Sequence, residues 1–280
     1  MDLHTISAVT AARSRADLAD LGPGDAVLAG GTWLYSEPQD HLTRLVELST
    51  LGWPALTVHA DGPMPGLEIA ATCTIAEFAR FDGPPGWCSR PLFHQCSDAL
   101  LASFKVWNFA TVGGNVCLSF PAGAMTSLLA ALDAQCLVWR PDGSEYRLPI
   151  VDFVTGNARN VLQQGEVLRS LHLADSALRS RTAFRKIALS PLGRSGAVII
   201  GRLSPEAHFV LTVSASTVRP ILLRFDRIPS SAELAAEIAR IEAELWFSDA
   251  HGSPDWRRAV SGELAEEVRA ELATDGVVAR

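Results

Sequence analysis

Two short runs hold residues whose types and spacing point to chemistry: Ala110-Thr111-Val112-Gly113-Gly114-Asn115 and, upstream, Ala29-Gly30-Gly31-Thr32. Each joins paired glycines to a hydroxyl side chain beside apolar sequence. Glycine has no Cβ, so its backbone can take positive φ and come close to a ligand. Successive N–H groups in such a turn form a concave nest for an anion. Two nests on one chain suit one long ligand carrying a pyrophosphate. Asn115 adds a side-chain amide for phosphate or sugar oxygens, or for bracing the turn itself. The fingerprint G-x-G-x-x-G at the head of a helix occurs nowhere in usable context, which disfavours a Rossmann-type domain.

Other chemistries find little support. The five cysteines, Cys73, Cys88, Cys96, Cys117 and Cys136, include no C-x-x-C pair, so neither an iron–sulfur cluster nor a zinc site is encoded. They read as buried free thiols. The histidines show no H-x-x-x-H pair, and His94 near Cys96 reads as local surface or packing. A net charge of −7 without a Lys/Arg run argues against nucleic acid as a partner. A pyrophosphate site needs no basic surface, because backbone N–H groups can supply the donors. Met1-Asp2-Leu3-His4 has no signal-peptide character. The longest apolar stretch, Leu128 to Val138, is broken by Asp133 and Gln135 and falls short of the ~18 residues of a membrane span. A cytoplasmic protein with no membrane partner is expected.

The elements that must position these runs follow from periodicity and breakers. The 280 residues, 48% hydrophobic and 20% charged, allow a large core and two domains, or one domain with subdivisions. Ser7 to Leu21 reads as an amphipathic helix capped by Ser7 and ended by Gly22-Pro23-Gly24. Ala26 to Leu28 is a short strand delivering Gly30-Gly31. Arg44 to Leu48 is a strand and Ser49 to Pro54 a turn. Leu56 to Val58 and Leu67 to Ala71 make a hairpin. Thr74-x-x-Glu77 is a capping box for a helix from Ile75 to Phe81. Leu92 to Phe104 and Ala122 to Asp133 read as helices, Gln135 to Trp139 and Glu145 to Pro149 as a hairpin, and Thr155 to Asn160 as a loop. A strand over Val167 to Leu173 follows. Composition changes at Asp175 to Thr182. Beyond it lie strands at Ala183 to Ala188, Gly196 to Leu203, His208 to Ala215 and Arg219 to Phe225, then helices at Ser231 to Leu245 and Asp255 to Leu272. The fold class is α+β, with a C-terminal lobe large enough for its own core.

The two glycine runs, A-G-G-T and A-T-x-G-G-N, in this order resemble the FAD-binding medium subunit of the molybdenum hydroxylases, the family of xanthine and carbon monoxide dehydrogenases. Further similarity lies in Leu45-Val46-Glu47-Leu48-Ser49, Leu67-Glu68-Ile69-Ala70-Ala71-Thr72, Ala130 to Ala134, Gly165 to Leu168, Phe184-Arg185-Lys186 and Asp255-Trp256-Arg257-Arg258. The resemblance implies an FAD-binding domain of the vanillyl-alcohol-oxidase (PCMH) type over residues 1–174, in lobes of about 1–54 and 55–174. A C-terminal domain of the carbon monoxide dehydrogenase flavoprotein type would cover 175–280. It also implies partners: a large subunit with the molybdenum cofactor and a small subunit with 2Fe–2S clusters, whose electrons FAD passes to NAD or another acceptor. No catalytic acid, base or nucleophile and no metal site is expected on this chain.

By this resemblance Ala29, Gly30, Gly31, Thr32, Trp33, Ala110, Thr111, Gly113, Gly114 and Asn115 surround the cofactor. Leu168 matches an apolar position beside the flavin, or is a core strand leucine. Lys186 matches a lysine near the flavin, or is a surface strand lysine. Four positions depart from the family pattern. Trp33 stands where Asp or Asn is frequent, and Trp107 where Arg is common. Ala124 replaces an Asp that can bind the ribityl chain, and Ser190 falls where an Arg follows Lys186. These departures motivate an alternative, a structural subunit with weakened or lost FAD binding. A stand-alone flavin oxidase would need a base over the ring, and no constellation for one is apparent in the sequence.

Overall fold

The computed structural model describes residues 3–100 and 102–274. Its first strands are β1 (Ala8–Ala11), β2 (Asp25–Leu28) and β3 (Arg44–Glu47), which form a parallel sheet in the order β1-β3-β2. The helix expected over Ser7 to Leu21 is thus a strand followed by one 3-10 turn, Arg15–Leu18. Alanine at helical spacing is a weak signal, and pairing of Ala8 to Ala11 opposite Arg44 to Glu47 outweighs it. Ser7 does not cap a helix; its hydroxyl donates to the Thr43 carbonyl at 3.2 Å. The turn is held instead by Asp17, whose carboxylate accepts the N–H groups of Arg13 and Ser14, each at 2.8 Å. Ala12, Leu18, Val46 and Leu48 bury a small core closed from the second lobe by Val167.

The chain continues through the hairpin β4 (Leu56–His59) and β5 (Gly66–Ala70), then α1 (Ile75–Ala79), α2 (Pro91–Ala99), α3 (Phe104–Phe109), α4 (Val112–Leu118) and α5 (Ala124–Ala131). After these come β6 (Gln135–Trp139), β7 (Glu145–Pro149), α6 (Ile150–Phe153), the small hairpin β8 (Val154–Gly156) and β9 (Arg159–Asn160), β10 (Val167–Ala174) and α7 (Asp175–Leu178). An antiparallel sheet, β4-β5-β10-β6-β7, packs its apolar face against these helices. Leu67, Ile69, Leu171 and Leu173 meet Phe78, Phe93, Val116 and Leu128 in one dry core. The Thr74 capping box forms as expected: its hydroxyl accepts from the Glu77 N–H at 3.2 Å, and the Glu77 carboxylate accepts from the Thr74 N–H at 2.8 Å. The single helix expected from Leu92 to Phe104 is two, because Ser103 caps a new one, accepting from the Val106 N–H. Leu101 lies outside the described residues. The loop expected at Thr155 to Asn160 is the β8–β9 hairpin.

The last sheet is antiparallel, β11 (Arg181–Ile187), β12 (Ala197–Leu203), β13 (Phe209–Ser214) and β14 (Ile221–Phe225), in sequential order. Residues alternate between its faces. Phe184, Val198 and Ile200 face the main core, while Ala183, Ile199, Leu211 and Val213 pack under α8 (Ser231–Ala239) and α9 (Pro254–Thr274). Helix α8 ends six residues short of Leu245, and a 3-10 turn, Ala243–Leu245, follows. Asp133, at φ 53°, ties this sheet to the end of α5 by accepting from both Arg202 and Arg224.

Two predictions test this scaffold. Asp133→Ala leaves the Arg202 side chain, 11% exposed, without the carboxylate that faces it. A loss of about 2 kcal/mol is expected as a lower urea midpoint, and less for Asp133→Asn, which tolerates left-handed φ. At the entry to the first glycine run, hydrogen bonds from the Arg44 guanidinium and then the Gly22 N–H hold the Asp25 carboxyl down at about 2. Because its folded value lies below the unfolded one, its contribution is intact above the unfolded value of about 3.9 and is lost as pH falls toward 2. Acid melts of Asp25→Asn should therefore show a shallower loss of Tm across that window than the parent chain.

Candidate functional site

Strand β2 ends with the Leu28 carbonyl accepting the Leu48 N–H at 2.8 Å, and the chain then leaves the sheet. From Gly30 to Trp33, no backbone N–H finds an acceptor among the described residues. A buried N–H without a partner costs about 1–3 kcal/mol, so such a row persists only where solvent or a ligand reaches it. These residues are half-buried or exposed and lie in an open turn. Gly31 has φ +67°, and a Cβ there would lie 2.4 Å from the Tyr35 ring. The donor row is neutral, which matches an anion held by amide dipoles rather than by counter-charge.

The second run differs from expectation. It is not a turn of free amides but the start of α4, with Thr111 as its cap. The Val112 N–H donates to the Cys73 carbonyl (2.8 Å), Gly113 to Ala71 (3.0 Å) and Asn115 to Thr111 (2.9 Å), while the Thr111 hydroxyl accepts from Gly114 at 3.0 Å. The Thr111 hydroxyl and the carbonyls of Cys73 and Ala71 together satisfy the first-turn donors of α4, so these amides serve the protein itself. The glycines here permit close approach of backbones. A Cβ on Gly113 would fall 2.6 Å from the Ala71 carbonyl oxygen, and one on Gly30 only 1.7 Å from the Phe109 carbonyl oxygen. The two runs therefore meet, through Gly30 against Phe109-Ala110. Asn115 braces α5, its Oδ1 accepting the Met125 N–H at 3.0 Å, and its amide NH2 has no acceptor among the described residues.

The other expected residues fall around this junction. Ala29 lies in the first loop, and Ala110 ends α3, its carbonyl accepting the Ile75 N–H at 2.9 Å. Trp33, 41% exposed, stands edge-on to Phe120 with ring centroids 4.9 Å apart, linking the first loop to the end of α4. Leu168 is buried in the core with Val112 and Val116, behind the second run. Lys186 is exposed in β11 on the same face as Phe184, the face turned toward the main core. Trp107 lies in α3, its ring centroid 6.2 Å from that of His94. Ala124 is 3% exposed at the start of α5. Glu166 is a turn residue, accepting from the Tyr146 hydroxyl at 2.9 Å and from Arg140.

Sequence reasoning missed Phe109 and Ala71, whose carbonyls receive the two glycines. Ala71 stands in the sequence only as a strand end within one stretch of family similarity, and Phe109 carries no signal. The cysteines are less uniform than expected, since Cys88 is exposed and Cys117 half-buried. Burial pushes the Cys73 and Cys117 thiols up to about 12 and raises Cys96 and Cys136 as well, so these four remain protonated and unreactive near neutrality.

A loop of free amides packed on the residues that lead into a helix cap is an arrangement suited to an anionic group. The family model for the FAD binding domain in molybdopterin dehydrogenase matches residues 5–174, and the chain belongs to this family. It is 22% identical over 276 residues to the carbon monoxide dehydrogenase medium chain of Hydrogenophaga pseudoflava, covering 89% of each protein. It is 27% identical over 177 residues to the nicotinate dehydrogenase FAD-subunit of Eubacterium barkeri, covering 58% of this chain and 55% of that one. The fold matches a chain of quinoline 2-oxidoreductase from Pseudomonas putida 86 with a TM-score of 0.78, at 20% identity, over 98% and 99% of the two chains.

One feature independent of these likenesses fits the diphosphate of FAD. The amide row from Gly30 to Trp33 offers donors without acceptors among the described residues, and the backbone contact of Gly30 with the Phe109 carbonyl fixes where that row stands. Gly30→Ala should destabilise the chain by about 3 kcal/mol through overpacking and weaken FAD binding sharply. Gly52→Ala, with φ +62° but nothing within 4 Å of the added Cβ, should cost about 1–2 kcal/mol and leave FAD affinity unchanged. Urea titration and flavin fluorescence on both variants check the pair.

Proposed function

We propose that this chain is the FAD-carrying electron-transfer subunit of a molybdenum-containing hydroxylase or dehydrogenase. The observation that carries the reading is the row of acceptor-free amides from Gly30 to Trp33, packed on the residues that lead into Thr111. We place the FAD-binding domain at residues 1–174 and the second domain at 175–280. Bound FAD supplies the storage and onward transfer of electrons. The chain's own residues bind and orient it. The Gly30 to Trp33 amides and the Thr32 hydroxyl hold the diphosphate, and the Asn115 side-chain NH2 donates to a neighbouring oxygen. Lys186 places a cation on the sheet face turned toward the site, and Leu168 with Val116 keeps water from the back of α4.

The partners in this reading are a large subunit with the molybdenum cofactor, a small subunit with 2Fe–2S clusters, and NAD or another acceptor. The names of the two relatives, a medium chain and an FAD-subunit, support a component of a larger enzyme. Among the described residues no helix is long and apolar enough to cross a membrane, which accords with the cytoplasmic location in this proposal. Buried, apolar Ala124 and the fully engaged amides of α4 favour a second reading, a structural subunit of the same complex with weakened FAD binding.

The test is direct. The purified chain should be yellow or take up added FAD stoichiometrically, and should co-purify with the molybdenum and iron–sulfur subunits. Thr32→Val should weaken FAD binding about fivefold, the effect of one lost hydrogen bond. Complex formation by a colourless chain that takes up no FAD would select the second reading.

A further inference from the structure

The run Asp255-Trp256-Arg257-Arg258 heads α9, and nothing in the site described above uses it. Arg257 is only 1% exposed. All three nitrogens of its guanidinium donate: Nε to the Gly252 carbonyl at 3.1 Å, Nη1 to Gly196 at 2.8 Å and to Ala215, and Nη2 to the Asp249 carboxylate. Trp256 stands on two of the same segments, since a Cβ on Gly196 or Gly252 would lie 2.5 or 2.6 Å from its ring. One helical turn thus ties the segment just before it to two others that are distant in sequence. A rigid planar fork with five donors is suited to this, and an ammonium is not.

Two of the three segments reach the FAD-binding domain. Ala215, held at φ 61°, donates its N–H to the Pro121 carbonyl at 3.0 Å. Pro121 follows Phe120, the ring against which Trp33 stands. Gly196 closes the segment that leaves β11 just past Lys186, donating its N–H to the Ile187 carbonyl at 2.8 Å. Within that segment the Ser195 hydroxyl donates to the Ala99 carbonyl at the end of α2 (3.5 Å). From behind its own sheet, Arg257 therefore fixes both the end of the Lys186 strand and the turn that touches the Phe120 loop.

We propose that Arg257 is a positioning residue for the flavin site, setting where Lys186 and the Phe120–Pro121 loop stand relative to the first glycine run. The inference rests on the FAD reading above. It is distinguished from that of a merely structural buried arginine by what moves when the clasp is loosened. Arg257→Lys keeps the charge but loses the fork. Asp249→Asn leaves Arg257 in place and removes its orienting carboxylate. Arg258→Ala, which removes an exposed neighbour donating to the Ala239 carbonyl, is the control.

The experiment uses the full chain and measures Tm, FAD dissociation constant, the visible absorption band of bound flavin and its midpoint potential. FAD uptake by the parent chain is read first, and its failure defeats the FAD reading itself. Given uptake, Arg257→Lys is expected to weaken FAD binding about tenfold and to shift both band and potential. Asp249→Asn should shift them in the same direction by less, with Arg258→Ala unchanged. A folded Arg257→Lys chain with a lowered Tm but parental affinity, band and potential would overturn the proposal. If Arg257→Lys does not fold, the same parental values in Asp249→Asn would do so.

Discussion

The arrangement depends on a contact between two stretches of backbone with no side chain between them. Gly30 lies so close to the Phe109 carbonyl that only a hydrogen fits, and Gly113 also lies too close to Ala71 to carry a side chain. These approaches pin the loop after β2 to the end of α3 and pin α4 to the end of β5. The parts of the candidate site are then referenced to them: the open loop after β2, the cap at Thr111 and the aromatic pair of Trp33 with Phe120. Close packing of this kind is unforgiving, because there is no slack into which an added methyl can move.

Much of this could be read from residue patterns. The β4–β5 hairpin follows from its alternation and its glycine-rich turn, and the α1 capping box from Thr74-x-x-Glu77 alone. The four strands of the last sheet also emerge in place. Local patterns failed where a tertiary partner decides the conformation. Ala8 to Ala11 becomes a strand because β3 is available to pair with it, which the spacing of alanines does not reveal. Thr111 looks like a turn hydroxyl until the carbonyls of Cys73 and Ala71 are seen to accept from the amides after it. Ser103 splits a run that reads as one helix because its side chain caps a new one.

The site was legible in part. That two glycine runs converge follows from the sequence once both are taken as one device, and the structure does bring them together. Which run offers donors does not follow, since that is a matter of hydrogen-bond accounting across elements. The C-terminal sheet contributes by placement. Its face alternation turns Phe184, Val198 and Ile200 inward with Lys186 in line, while Asp133 and Arg257 fix it at two separate points.

The internal use of the α4 amides bears on how such motifs signal ancestry. Gly113 answers to Ala71, and the hydroxyl of Thr111 answers to the amide of Gly114. Both requirements are architectural and would persist in a descendant that had stopped carrying a nucleotide. In such a degenerate copy the A-T-x-G-G-N letters would survive, while drift would be free first in the donor loop between Gly31 and Trp33. The more familiar-looking of the two signatures is thus the poorer witness to occupancy.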